Sequence, residues 1–527
     1  MELDIATQEQ LVRGLQDPAA YGHPVDVVQH IETHISHVLL SGRFAYKIKK
    51  PLNLSFLDFS SLARRRHFCF EELRLNGRLA PHVYLEVVPI TGTPARPRMG
   101  GDGEAIDYAV KMRRFPQDAL LDKRPLDPGL IDRIAEVVAA FHGRIPAVGP
   151  SAPYGSPDLV VEPMRENFRQ IRRLDHDALD LQRLARLEAW TESRFSALRG
   201  VLAERREQGW VRECHGDMHL GNIALVDDQV VIFDGIEFNL ALRWIDTMSE
   251  LAFLVMDLWH AGRPRLARRL LGRYLQVTGD FGGLRVLRFY QVYRAMVRAK
   301  VTAIRLAQSD LEPDQRDGVQ REYHSYLDLA EAFVAPTTPA LIITCGVSGA
   351  GKSTLAEILS EGLPGVRLRS DVERKRIFAL EAGARTGSQR DQGIYAPVAT
   401  RATYGRLLEL AETVLGAGET AVVDATFLTR DQRKPFQELA QARGLPFLIL
   451  LVEAPEAVLF ERVEQRLAKA RDPSEATLGV LQAQLARREL LEPVERNRAR
   501  VVDTSQPVDA EALLEVCRAA LSNQPGH

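Results

Sequence analysis

A chain of 527 residues is too long for a single hydrophobic core and calls for three or so compact units, or two larger ones. Its 68 Lys and Arg against 70 Asp and Glu leave a formal charge of −2, which excludes a global field for nucleic acid or an anionic membrane while leaving a local basic groove open. Hydrophobic content of 45% and charged content of 26% are ordinary for a globular chain in water. The longest apolar runs, 251–256 and 446–452, are too short to span a bilayer, and the acidic start Met1-Glu2-Leu3-Asp4-Ile5 has no secretory pattern. Cys69, Cys214, Cys345 and Cys517 are scattered without C-x-x-C spacing, which fits a reducing, cytoplasmic setting and argues against a structural zinc site.

In chain order, residues 39–49 read as a hairpin turning at Ser41-Gly42, with Lys47 and Lys49 on alternate positions of its second strand and so on one face. Such a pair is a phosphate hook or, equally open from the residues alone, a solvated strand face. Residues 61–79 follow as a helix carrying Glu71 and Glu72, either of which can pair with one of those lysines. Residues 108–116 form a strand ending at Pro116, suited to a connector between lobes. Residues 132–141, 180–199 and 266–335 are mostly helical by period, so a small mixed lobe precedes a larger helical one.

Within the helical part stands His215-Gly216-Asp217-Met218-His219-Leu220-Gly221-Asn222, then the apolar strand 230–233 ending at Asp234. An Asp followed five residues on by Asn, and about a dozen later by Asp at a strand end, has the spacing of a kinase catalytic loop and its metal aspartate. The first carboxylate accepts the proton of an attacking hydroxyl; the amide oxygen and the second carboxylate are hard ligands for Mg²⁺. The alternatives are an Asx-rich surface hairpin or a His pair satisfied in a core.

Those motifs make residues 30–330 similar to the aminoglycoside phosphotransferases, small-molecule kinases with a protein-kinase-like two-lobed fold. The resemblance implies Asp217 as catalytic base, Asn222 and Asp234 as Mg²⁺ ligands, residues 112–115 at the adenine hinge, and Lys47 or Lys49 on the nucleotide phosphates with Glu71 or Glu72 as partner. Lys47 with Glu72 is the preferred pair. The hairpin holds only Gly42 rather than a glycine-rich loop, and 235–239 depart from the group's tryptophan-acid pair. Asp246, Glu250 and Asp257 could bind a polycationic acceptor; equally, Asp246 braces the catalytic loop and Glu250 caps a helix or faces solvent.

The pattern breaks at a Pro/Thr linker, 336–340, dividing a first domain, 1–335, from a second, 341–527. The second opens on the apolar strand 341–345 and Gly346-Val347-Ser348-Gly349-Ala350-Gly351-Lys352-Ser353-Thr354, a P-loop. Its glycines allow inward backbone N–H groups around a polyphosphate, Lys352 reaches the β and γ oxygens, and Ser353 ligates Mg²⁺. Apolar runs at 366–369, 421–423, 447–452 and 500–502 alternate with helices and predict a parallel α/β sheet after the α+β first domain. Asp371 and Arg374 share a helix face after the second strand and suit phosphorylation of a hydroxyl, Asp424 ends the third strand near the metal's water shell, and Arg462, Arg466 and Arg471 form either a lid over the phosphoryl group or a solvated face paired with Glu461 and Glu464.

Residues 340–505 resemble the small P-loop kinases that include gluconate kinases, the kinase half of polynucleotide kinases and zeta-type toxins, on the P-loop, Ser370-Asp371-x-x-Arg374, Asp424 and 471–475. The resemblance implies Asp371 as base and Arg374 as an acceptor contact. The pairing of modules resembles bacterial bifunctional aminoglycoside phosphotransferase/ATP-binding proteins. The expectation is an ATP- and Mg²⁺-dependent phosphotransferase with two sites acting on small hydroxylated molecules. The alternatives are that one module is a nucleotide-sensing regulator of the other, or that the second half phosphorylates a nucleotide-sugar or polynucleotide end.

Overall fold

The computed structural model describes residues 3–54, 57–174, 177–308, 311–380, 396–469 and 477–523, with side chains for all of these except 467–469. The chain forms two compact units, residues 1–260 with 289–330, and residues 261–288 with 331–527. Among the described residues no helix is long and apolar enough to cross a membrane.

The first unit opens with a six-stranded antiparallel sheet in the order Val28–Glu32, Ser36–Ser41, Phe44–Lys49, Asp107–Arg113, Tyr84–Thr93, Arg96–Met99. The expected hairpin is present, with Ser41 opposite Phe44 and Gly42 at φ 55°, a left-handed conformation that glycine adopts without a Cβ penalty. Strand alternation sends Leu39, Tyr46 and Ile48 to a core on one face, shared with Leu11 and Leu15 from the N-terminal stretch. Lys47 and Lys49 therefore face the other way, toward the helix Leu62–Asn76, which packs on Tyr84–Thr93 and Asp107–Arg113. That helix starts where the sequence places it: Ser61 Oγ caps it by accepting from Arg64 N–H at 3.3 Å.

The helical part of this unit includes Pro128–Arg144, Pro157–Leu174, Ala178–Glu207 and Thr247–His260. Two short antiparallel pairs carry the motif residues between them. Val211–Glu213 pairs with Trp244–Asp246, and Ile223–Val226 pairs with Gln229–Ile232. The second pair turns on Asp227 and Asp228, both at positive φ (50° and 59°), as a two-residue hairpin of primed type requires.

The second unit is built on a five-stranded, all-parallel sheet in the order Gly365–Arg369, Thr420–Asp424, Leu341–Cys345, Phe447–Glu453, Ala499–Asp503. Every strand the sequence predicts is present, and three of them, Leu341–Cys345, Thr420–Asp424 and the first four residues of Phe447–Glu453, are buried along their whole length, as strands covered on both faces must be. The stretch 266–335 resolves into the helices Pro264–Thr278, Leu284–Leu306 and Pro313–Val334. The linker divides the sequence at 336–340, whereas compactness assigns 261–288 to the second unit. Pro264–Thr278 buries Leu270, Leu271, Tyr274 and Leu275 and packs on the helix Lys352–Gly362 and the strand Gly365–Arg369. Arg269 Nη1 donates to Glu361 Oε1 at 2.7 Å and also pairs with Glu357.

Candidate active sites

In the first unit, strand pairing and the capped helix bring five ionisable side chains together. Lys47 Nζ lies 2.9 Å from Glu72 Oε1 and pairs with Asp234; Lys49 Nζ lies 2.6 Å from Glu72 Oε2 and pairs with Glu237. The two lysines are not a solvated strand face: both are buried. Glu72 is fully buried and bridges both lysines, while Glu71 turns away to Arg74 and Arg243. Burial works against the Lys47 ammonium, but Asp234, Glu72 and Glu237 outweigh it and hold its pKa well above the usual lysine value. Burial likewise works against the Glu72 carboxylate, yet Lys47 and Lys49 pull its pKa down to about 2. Both groups are charged through the neutral range, the state a phosphate hook and its brace require.

The Gly216 to Asn222 segment is held from beneath. Gly216 stands at φ 90°; its N–H donates to Glu250 Oε1 at 2.6 Å, and Glu250 Oε2 meets His142 Nε2 at 2.8 Å. Glu250 is fully buried, so it neither faces solvent nor offers a carboxylate to a polycation. Asp246 is spent on Arg205 in a bidentate pair of 2.7 and 2.8 Å, and Asp257 accepts from Leu220 N–H at 2.8 Å. Glu250 and Asp257 thus brace the loop through the Gly216 and Leu220 N–H groups, while Asp246 is held by Arg205.

Asp217 is half-buried. Burial pushes its pKa up, but His219, His215 and Arg294 prevail and bring it down to about 2; His219 Nε2 lies 3.6 Å from its Oδ2. Asn222 Nδ2 donates to Asp217 O at 3.0 Å and Oδ2 at 3.2 Å, so the amide oxygen is the atom left to offer lone pairs. Asp234 sits at φ 63°, its N–H donating to Tyr84 Oη at 3.1 Å, and Gly235 N–H donates to Asn76 Oδ1 at 2.8 Å. Asn222 and Asp234 are hard oxygen donors at strand ends and fit a Mg²⁺ ion.

In the second unit the P-loop follows the central strand of the sheet. A Cβ at Gly346 would meet Val452 O at 2.4 Å and one at Gly349 would meet Leu459 O at 2.9 Å, while Gly349 and Gly351 stand at φ 84° and 87°. A backbone cradle that excludes side chains fits a polyphosphate. Lys352 opens the helix Lys352–Gly362, and its Nζ donates to Val347 O at 2.8 Å, folded over the loop. Burial lowers its pKa, opposed by the charges of Asp424 and Asp371. Ser353 and Thr354 follow in the first turn of the same helix.

Asp424, at the end of the neighbouring strand, accepts from Arg367 Nη2 at 2.7 Å, with Arg369 at 3.9 Å. Burial works to raise its pKa, but Arg367, Arg369 and Lys352 lower it. Asp371 lies in the first turn of Ser370–Ile377, and Arg374 on that helix is buried, with Nη1 3.3 Å from Thr400 Oγ1. Arg462 Nη2 donates to Thr504 O at 2.6 Å and Nη1 to Thr504 Oγ1 at 3.0 Å, and Thr504 Oγ1 in turn donates to Ala350 O at 2.9 Å. Arg462 thus pins the back of the P-loop. Arg466 lies close enough to Lys352 to oppose its charge. Arg471 and 471–475 lie outside the described residues.

Proteins of Mycobacterium tuberculosis and Mycobacterium bovis, both described as uncharacterized, are 30% identical to this chain over 481 residues, which cover 89% of it and 93% of them. The chain belongs to their family. A family model described as the phosphotransferase enzyme family matches residues 62–290, and one described as an AAA domain matches 341–491. It is a phosphotransferase with two kinase-like modules, the first of the aminoglycoside phosphotransferase type and the second a P-loop domain with a parallel sheet. Among solved structures it is similar to a gluconokinase of Sinorhizobium meliloti (25% identity, TM-score 0.24, covering 35% of this chain and 91% of that one). It is also similar to a choline/ethanolamine kinase family protein of Mesorhizobium loti (14%, TM-score 0.37, 62% and 99%).

Several groups of this phosphotransferase escape a reading of the sequence. Glu237, the partner of Lys49, stands three residues after Asp234 in the stretch 235–239 that lacks the tryptophan-acid pair expected from the resemblance, and that departure is the one signal that marks it. Asn76, Tyr84 and Arg294, whose Nη1 donates to Gly216 O at 3.2 Å, are remote in sequence and carry no spacing signal. Arg367 is one of several arginines near the second strand, and only strand pairing, which sets it opposite Val422, brings it to Asp424.

Proposed function

We propose that each module transfers the γ-phosphoryl group of ATP to a hydroxyl of a small molecule, with Asp217 and Asp371 as the acceptor-side carboxylates. The observation that carries the reading is the convergence of Lys47, Glu72 and Asp234 beside an Asp217–Asn222 pair, a complete set of lysine, brace, metal carboxylate and hydroxyl acceptor. Asn222 and Asp234 would hold Mg²⁺ in the first module; Ser353 would hold it in the second, with Asp424, already neutralised by Arg367, suited to the metal's water shell. The ion, when bound, neutralises phosphate charge.

The residues themselves orient and position. Asp217, with a pKa of about 2, is a weak base, so it aligns the acceptor hydroxyl and takes its proton only as the transfer nears completion. That suits a loose phosphoryl-transfer transition state, in which the nucleophile needs little activation. Lys47 is fixed by Glu72 and so meets phosphate oxygens without an ordering cost. In the second module Lys352 exchanges the Val347 carbonyl for phosphate, and Arg374 faces the acceptor. Asp246 and Glu250, buried and committed to Arg205 and to the Gly216 N–H, take no part in acceptor binding.

The test is labelling of a small-molecule extract with γ-labelled ATP. Asp217→Asn and Lys352→Ala should each remove one half of the products, by a factor of about 10²–10⁴ in rate for the carboxylate. Unchanged labelling in both variants would end the two-site reading. Loss in one variant alone would assign catalysis to that module and leave the other as a nucleotide sensor.

A further inference from the structure

On the face of the first sheet opposite Lys47 and Lys49, three side chains with metal-binding atoms meet. His30 and Glu32 alternate on the edge strand Val28–Glu32 and so share a face. The register sets Glu32 opposite His37 on the neighbouring strand, and His37 opposite Ile48, which lies between the two catalytic lysines and points away from them. One ligand atom from each of His30, Glu32 and His37 lies within 4.8 Å of the others. His30 Nε2 stands 3.0 Å from His37 Nδ1, and Glu32 Oε1 accepts from Lys50 Nζ at 2.6 Å.

We infer that His30, Glu32 and His37 bind a divalent transition-metal ion of the Zn²⁺ class, tying the edge strand to its neighbour. Two imidazoles and a carboxylate are the donor set of such an ion, whereas Mg²⁺ and Ca²⁺ take oxygen. Two nitrogens on one tetrahedral Zn²⁺, each at about 2.0–2.1 Å from it, lie about 3.3 Å apart, so the 3.0 Å pair needs to open by only a few tenths of an ångström. His37 is buried and set by its strand opposite Glu32, so its ring is a fixed donor around which the exposed pair can close. His30 and Glu32 are exposed, which gives an ion an entry path and leaves a fourth position to water. Lys50 is the built-in competitor: its ammonium occupies the carboxylate that the ion takes.

A second trio with metal-binding atoms, His142, Cys214 and Glu250, is fully buried and already engaged, Glu250 by Gly216 N–H and His142. It serves the catalytic loop. The cysteine spacing that argues against a structural zinc site is silent on the outer trio, which contains no cysteine and is assembled by strand register.

The test uses the full-length chain, stripped with chelator and titrated with ZnCl₂ alone by calorimetry. One equivalent should bind. His30→Ala and Glu32→Gln, both at exposed positions where folding is retained, should each weaken it by more than about tenfold, and Lys50→Ala should strengthen it several-fold by freeing Glu32. Zn²⁺ should also raise the thermal midpoint of the parent chain and not of His30→Ala. Absence of saturable binding, or equal affinity in the parent, His30→Ala and Glu32→Gln chains, would overturn the site. So would a thiolate charge-transfer band with Co²⁺, because it would put the ion on a cysteine.

Discussion

Glu72 carries more of the first module than any other single side chain. Its two oxygens accept both lysines in a buried place, so removing its charge leaves two buried ammonium groups without their common partner. Because Lys47 keeps Asp234 and Lys49 keeps Glu237, Glu72→Gln should cost about 1.5–3 kcal/mol at pH 7, measured by chemical denaturation. The pH dependence has a definite sign. Its pKa is lowered from an ordinary 4.5 to about 2, so its contribution is fully present above about pH 4.5 and is lost as pH falls toward 2. The parent chain should therefore lose stability more steeply than Glu72→Gln across that window. Equal slopes would show that the carboxylate is not the group responsible. At this scale strand alternation made the lysine pair legible from the residues and the helix beside it offered Glu71 and Glu72, while likeness to known kinases supplied the choice of Lys47 with Glu72. Both lysines meeting one glutamate was not legible, because it depends on the helix Leu62–Asn76 crossing the strand at one height.

Among the elements, the P-loop shows how local chemistry and packing divide the work. Its glycines are required by different neighbours: Gly349 and Gly351 by left-handed backbone, Gly346 by the carbonyl of Val452 on the adjacent strand. Gly346→Ala places a methyl 2.4 Å from that carbonyl, and the strain should cost about 1–3 kcal/mol and weaken ATP binding by the P-loop module, read by thermal unfolding and nucleotide titration. Parent-like unfolding and affinity would mean that the strand end yields freely. Motif spacing alone identifies the loop. The contact with Val452 and the brace from Arg462 through Thr504 come from strands and helices far later in the chain, Thr504 being 154 residues from Ala350, and no local pattern encodes them.

For the molecule as a whole, the second unit borrows residues 261–288 from before the linker. Those residues bury Leu270, Leu271, Tyr274 and Leu275 and place Arg269 on Glu361. A protease cut at the exposed 335–338 should therefore leave the two pieces together on native gel filtration and part them only in denaturant. Separation under native conditions would show that this packing is too weak to hold the unit. What the residues alone determined is the chemistry of the two modules and their order: glycines, a lysine and carboxylates at fixed spacing are local demands of a phosphate-binding loop and a catalytic loop, and periodicity set the strands and helices around them. Only the tertiary structure decided which groups meet across long separations: Glu237 on Lys49, Glu250 beneath Gly216, Arg367 on Asp424, and a helix of the first stretch joined to the second unit. The reason is physical, since burial makes each such pairing strong, while what brings it about is sheet register and helix packing, which no short window of sequence contains.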